Sequence, residues 1–384
     1  MERPLATSQR QNRPSSLARL VVALLSSLIA VALCEGTLRV FWHNPYRYEQ
    51  LIPVLRLPIQ HARTNYLFNR SAIDNEKPWV RFETDERSYI MPSRRFETPD
   101  ATVAFLGGST TECFAVREEL RFPARVSYLL EKKGLKVNTL NAAKSGNTTH
   151  DSINVLLNHV IQDRPNVVVL MEAWNDIGIL REYMSYAPRM GETQNVFHLA
   201  QFVLEKASST FYFMGLLRQW TTSGTLRPNY SASANYNRAV KPLRVEEYEN
   251  RVRAFVRISR AFGIQPVLMT QPAANYRNAL TPDWGELKNQ EVFNNIVRKV
   301  GVEEDAVVID LVRYLIENIE AWDQPMKIFY DGVHVNDHGS EVYAEHIAKY
   351  LYDEMFVRRL RLTQTGAGNS LGPLRPIHRR HRPS

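Results

Sequence analysis

Thr102-Val103-Ala104-Phe105-Leu106-Gly107-Gly108-Ser109-Thr110-Thr111 is an apolar run that gives way to two glycines and then to three hydroxyl-bearing residues. A run of this length fits a buried strand, and the glycines permit the sharp turn that leads a strand into a helix. Such a turn brings backbone N–H groups close to a bound group, and the start of the following helix adds partial positive charge. Ser109 is therefore a candidate nucleophile, placed where a developing oxyanion is readily held. The stretch alone is also open to plainer readings, in which Ser109 caps the next helix or the loop cradles a phosphate.

The residues on either side continue the pattern. Strand 102–106 is followed by helix 121–133, strand 136–140, helix 151–162 and strand 167–171. Then come helix 245–261, strand 266–270, a helix around 290–300, strand 306–310 and a last helix over about 339–356. Nearly all-apolar strands that alternate with amphipathic helices predict a parallel sheet covered on both faces. Residues 43–100 mix prolines, aromatics and charges and read as a connector packing on the domain edge. Residues 181–243 break the rhythm with an aromatic-rich, Ser/Thr/Asn-rich stretch. Long insertions beyond the carboxyl ends of parallel strands shape pockets, so this stretch is a candidate cap or substrate-binding insertion, a surface excursion being the alternative.

Ahead of the connector, Leu20 to Cys34 is apolar except for Ser26 and Ser27, and Leu17, Ala18 and Leu38 to Trp42 extend it. Residues 17–42 are expected to form a single membrane anchor. Arg3, Arg10 and Arg13 in the preceding tail favour a cytoplasmic N-terminus and a catalytic domain on the other side of the membrane. Ala30-Val31-Ala32 keeps open a cleaved signal peptide, and Cys34 a lipidated cysteine. A buried core helix is the fourth reading.

The 384 residues are 44% hydrophobic and 23% charged, an ordinary globular composition. The formal net charge of +8 is concentrated near residues 358–361 and in the tail at 375–382, and residues 359–384 read as a disordered basic tail. Without a basic stripe interleaved with aromatics, nucleic acid is not an expected partner. Two cysteines, Cys34 and Cys113, make a stabilising disulfide unexpected. No His, Cys and carboxylate cluster has metal-ligand spacing, so neither a metal nor another cofactor is expected.

Three later turns carry chemistry. The strand at 136–140 runs into Asn141 to Thr149, where Gly146 can offer its backbone N–H. The strand at 167–171 runs into Glu172-Ala173-Trp174-Asn175-Asp176, where Asn175 can aim an amide N–H at an oxyanion. Near the end stands Asp331-Gly332-Val333-His334. Three residues apart, the carboxylate can hold one imidazole nitrogen while the other faces a hydroxyl. His338 is a spare candidate. Trp174, and Gln271 at the end of the 266–270 strand, are candidate substrate contacts, with packing as their alternative.

In their order, Phe105 to Thr111, Ser145-Gly146-Asn147, Asn175-Asp176 and Asp331 to His334 resemble the four blocks of the SGNH (GDSL-type) hydrolase superfamily, over residues 100–355. The resemblance implies a flavodoxin-like three-layer α/β/α domain with serine esterase chemistry. By position, Ser109 matches the nucleophile, and Asp331 and His334 match its acid and base partners. The Ser109 and Gly146 amides and the Asn175 side chain match the oxyanion hole. Gly108 stands where the name motif has Asp, and Ala173 where the third block has Gly. The expected reaction is hydrolysis of an O-acyl or O-acetyl ester on a carbohydrate or lipid through an acyl-serine. Transfer of the acyl group to a cell-surface glycan, and a catalytically idle glycan-binding module, are the alternatives.

Overall fold

The computed structural model describes residues 16–41, 57–182, 186, 208–210, 213, 214, 217, 242–274, 285–318 and 327–353. Most of the insertion at 181–243 lies outside these residues, as do the N-terminal and basic tails. The chain divides into two units, Met1–Arg56 with Pro188–Ser231, and Leu57–Ala187 with Ala232–Ser384.

The first unit contains helix α1 (Ser16–Phe41). Its Arg19–Phe41 segment, with a mean hydropathy of 2.1, is long and apolar enough to cross a membrane, a test that a signal sequence also passes. At about 1.5 Å per residue it rises more than the roughly 30 Å of a hydrocarbon core. The Ser26, Ser27 and Thr37 hydroxyls donate to carbonyls one turn back at 2.8, 2.9 and 2.9 Å, so the helix satisfies its own polar groups. Glu35 pairs with Arg39 at 2.6 Å and accepts the Ser209 and Thr210 N–H groups at 3.0 and 2.9 Å.

The second unit opens with an antiparallel hairpin, β1 (Asn65–Asn69) and β2 (Trp79–Glu83), within the stretch read from the sequence as a connector. The alternation follows: β3 (Ala101–Gly107), α2 (Ser109–Glu112), α3 (Phe122–Glu131), β4 (Val137–Asn141), α4 (Thr149–Asn158), β5 (Val167–Met171) and α5 (Trp174–Glu182). Beyond the insertion come α6 (Pro242–Ala261), β6 (Gln265–Met269), α7 (Gly285–Glu303), β7 (Val307–Ile309), α8 (Leu311–Asn318) and α9 (Asp337–Tyr350). Each strand and helix of the expected alternation is present; the helix expected around 290–300 is longer, at Gly285–Glu303, and the last helix, expected to reach about 356, ends at Tyr350. Helix α8 is an addition.

Strands β3 to β7 form one all-parallel sheet in the order β4-β3-β5-β6-β7. Alternate residues of β3 feed opposite layers. Val103 and Phe105 pack with Val126, Leu130, Tyr343 and Ile347 of α3 and α9. Ala104 and Leu106 pack with Val155, Phe255 and Phe293 of α4, α6 and α7. This is the flavodoxin-like three-layer arrangement. The chain reverses direction across the sheet at β3, so the loops after β3 and β5 flank a topological switch point, where open α/β sheets bind ligands.

Residues 57–100 are woven into this unit. The fully buried Arg121 donates to the carbonyls of Arg81, Met91 and Cys113 at 2.7, 2.8 and 3.2 Å, so three acceptors replace the water its charge has lost. Arg70, equally buried, bonds both oxygens of Asp337 at the start of α9. The Ile90 N–H donates to the Asn141 carbonyl at the end of β4.

Candidate active site

The turn after β3 is shaped by close approach. A Cβ at Gly107 would stand 2.3 Å from Thr111 Oγ1 and 2.8 Å from the Met171 carbonyl, and one at Gly108 2.4 Å from Asn175 Nδ2. Only glycines let the chain pass between these neighbours and begin α2 at Ser109. The helix is a single turn, ended by Cys113 at a φ of 53°. The partial positive charge at Ser109 is therefore that of a few local N–H groups.

Asp331 Oδ1 accepts the backbone N–H groups of Val333 and His334, both at 2.8 Å. This folds the turn so that Oδ2 faces His334 Nδ1 at 2.7 Å. The other ring nitrogen, Nε2, lies 2.7 Å from Ser109 Oγ. Burial by itself would raise the Asp331 pKa, but the bonds from the His334 ring and from the two backbone N–H groups outweigh it and hold the carboxyl below the usual Asp range. An ionised carboxylate only accepts, so Nδ1 carries the hydrogen and Nε2 is left to accept the Ser109 hydroxyl proton. Tyr330 stacks on the imidazole, with ring centroids 5.6 Å apart. His338 is exposed in the first turn of α9, and His334 is the histidine bonded to Ser109.

The loop after β4 folds back on this turn, with the Lys144 N–H donating to the Gly107 carbonyl at 3.1 Å. Gly146 sits at a φ of 84°, a backbone region that glycine enters without strain. Asn175 Nδ2 donates to the Asn147 carbonyl at 2.7 Å, which fastens the third block to the Gly146 loop. That bond uses one of the two amide hydrogens. Gly108, Asn147 and Asn175, from the loops after three neighbouring strands, thus meet next to Ser109 in the chain.

Two buried carboxylates of the turn after β5 support this frame. Glu172 accepts from Ser152 Oγ at 3.0 Å, and Asp176 accepts the Thr149 N–H and the Tyr186 hydroxyl. Burial pushes both carboxyl pKa values up, Asp176 to about 7, and the nearby Asp176 charge raises that of Glu172 further. A third, Glu112, accepts from Gln60 Nε2 at 2.6 Å and from the Ser145 hydroxyl beside Gly146. Burial is again the largest influence and raises its pKa.

Of the expected substrate contacts, Trp174 is half-buried against the core layer under α3 and α9. Gln271 is 3% exposed, and its amide is taken up by protein at both ends, Oε1 by the Trp174 N–H at 2.8 Å and Nε2 by Thr110 Oγ1 at 2.9 Å. Its place just past a buried strand suggests the crevice, but the side chain turns back into the framework. The cysteines are free, Cys113 buried and Cys34 exposed.

Among solved structures, the chain is similar to the acetyl xylan esterase AlAXEase, at 19% identity over 65% of this chain and 99% of that one, with a TM-score of 0.42. It is similar to Axe2, an acetylxylan esterase from Geobacillus stearothermophilus, at 17% identity over 67% and 96%, with a TM-score of 0.43. A lipase/acylhydrolase from Enterococcus faecalis gives 16% identity over 65% and 95%, with a TM-score of 0.41. No curated protein matches the chain. The model of the GDSL-like lipase/acylhydrolase family matches residues 105–342, more than half the chain and the span holding all four blocks. The chain therefore belongs to the GDSL-like lipase/acylhydrolase family, whose chemistry is the hydrolysis of esters.

Proposed function

We propose that this protein is a serine esterase that removes O-acyl or O-acetyl groups from a carbohydrate or lipid. The observation that carries this reading is the bonded chain from Ser109 Oγ through His334 to Asp331, at 2.7 Å on each side of the imidazole. Ser109 Oγ forms a bond to the ester carbonyl carbon as His334 Nε2 takes its proton. The oxyanion is held by the backbone N–H groups of Ser109 and Gly146 and by the Asn175 amide. The carbon–oxygen bond to the alcohol breaks as His334 returns the proton to the departing oxygen. Water, deprotonated by His334, then bonds to the acyl carbon, and the carbon–oxygen bond to Ser109 breaks as His334 returns the proton to Oγ, releasing the acid. Asp331 fixes the imidazole tautomer throughout.

Residues 101–358 form the hydrolase domain in this reading, with Trp174 at the cleft wall. Residues 17–42 are a single-pass anchor. The arginines ahead of α1 keep the tail in the cytoplasm and set the catalytic domain on the extracytoplasmic side.

A fluorophosphonate probe tests the chemistry. Labelling of wild type and not of Ser109→Ala supports the reading, and no labelling of folded wild type overturns it. Short-chain and long-chain esters and acetylated sugars then sort the substrate, and a preference for long chains removes carbohydrate deacetylation. Product analysis with an acceptor sugar separates hydrolysis from acyl transfer.

A further inference from the structure

The nucleophile and the side-chain oxyanion donor stand on separate loops. Strands β3 and β5 pair only as far as Gly107 opposite Met171. Ser109 and Asn175 lie beyond the end of that ladder, so main-chain pairing does not set their separation. A side chain from a third strand spans the gap. Gln271, just after β6, accepts the Trp174 N–H one residue before Asn175 and donates to Thr110 Oγ1 one residue after Ser109.

The orientation of this amide follows from its partners. The Trp174 N–H can only donate, so the amide oxygen must face it, and the NH₂ then faces Thr110. As the first N–H of α5, it has no partner within its own helix, which makes Gln271 its cap. Gln271 is itself held from behind. Its N–H donates to Asn294 Oδ1 at 2.8 Å, and its carbonyl accepts from Gln290 Nε2 at 2.9 Å and Asn294 Nδ2 at 3.0 Å. Gln290 and Asn294 are fully buried, four residues apart on one face of α7. A brace of three buried amides therefore runs from α7, on the far side of the sheet from α3, to the two catalytic loops.

The geometry points to Gln271 as a positioning residue that keeps the Ser109 hydroxyl and the Asn175 amide at one spacing, and so sets the fit of the oxyanion hole. It rests on the esterase reading, because the spacing matters only if a tetrahedral oxyanion forms between these groups. Gln271 touches no reacting atom and acts through its neighbours.

Gln271→Met keeps the length of the side chain and removes both bonds. With p-nitrophenyl acetate as substrate and the full-length protein, kcat is expected to fall roughly 10- to 100-fold with KM within about 3-fold of wild type. The decisive readout is coupling: Gln271→Met added to Asn175→Ala should cost little more than Asn175→Ala alone, since a misplaced donor and an absent one are equivalent. A kcat within about 2-fold of wild type, or losses that multiply in the double variant, overturn the inference. If Gln271→Met does not fold, Thr110→Val removes one end of the brace; a smaller fall in kcat, again not additive with Asn175→Ala, supports it, and an unchanged kcat overturns it. A wild type that neither hydrolyses the ester nor reacts with the fluorophosphonate removes the esterase reading and this inference together. An active wild type with an unimpaired Gln271→Met removes this inference alone.

Discussion

His334 Nε2 lies 2.7 Å from Ser109 Oγ across a sequence separation of 225 residues. Asp331, on the far side of the ring, has a side chain 43% exposed. Ser109→Ala and His334→Ala are expected to abolish ester hydrolysis. Asp331→Asn removes the acceptor that fixes the tautomer and is expected to lower kcat about 10²- to 10⁴-fold, toward the lower end because water reaches the site. Steady-state rates decide this, and a loss below about tenfold would remove Asp331 from the catalytic chain.

Asn175→Ala is expected to lower kcat about 10²- to 10³-fold, the usual cost of losing one oxyanion donor. The same variant frees the Asn147 carbonyl of its 2.7 Å partner. Labelling by a fluorophosphonate should slow and not vanish, since Ser109 and His334 stay paired. Turnover equal to wild type would exclude Asn175 from the oxyanion hole.

Gly107→Ala puts a methyl group within 2.8 Å of the Met171 carbonyl and closer still to Thr111. The backbone of β5 cannot give way without breaking its ladder. The variant is expected to lose about 1–3 kcal/mol of stability or more, together with fluorophosphonate labelling. Urea denaturation and gel labelling check the two effects, and a fully stable, fully labelled variant would contradict the packing of this turn.

Asp176 links stability to pH. Its pKa is raised from 3.8 to about 7 in the folded protein, burial being the largest cause, so the folded state binds more protons than the unfolded one between these values. Its contribution is greatest at the acid end and is lost as pH rises through that window. Asp176→Asn retains an acceptor for the Thr149 N–H and is expected to flatten this dependence, leaving a residual slope of the same sign from Glu172. Thermal melts at about pH 5 and pH 7.5, on either side of most of the transition, test this; an unchanged slope would mean that Asp176 is ionised throughout.

Arg70 ties the region before β3 to the helix that follows His334. Its side chain is 1% exposed and pairs with Asp337 at 2.7 Å. Arg70→Met leaves a part-buried carboxylate short of a partner and is expected to cost about 3 kcal/mol. A chain beginning at residue 57 should fold and one beginning at 101 should not, as circular dichroism and urea melts will report.

The order and type of the strands and helices were legible in the residues because periodicity is a local property. Thr102 to Leu106 reads as a buried strand wherever it occurs, and the glycines after it as a turn. The Ser109, Gly146, Asn175 and Asp331–His334 blocks could be picked out for a related reason, as each sits where an apolar run ends or a helix begins. Helix α8 and the β1–β2 hairpin are too short for periodicity to mark them firmly. What the sequence by itself determined, then, was a parallel α/β sheet with chemistry-bearing turns at its carboxyl edge, and an apolar segment ahead of it. Only the tertiary structure decided which polar side chains face the cleft and which hold the framework. Gln271 reads as a cleft residue until it meets Thr110, 161 positions away, and Glu112 is unremarkable until Gln60 and Ser145 close on it. The work of a buried amide or carboxylate is set by the donors and acceptors that folding brings to it, and these come from segments close in space and distant in the chain.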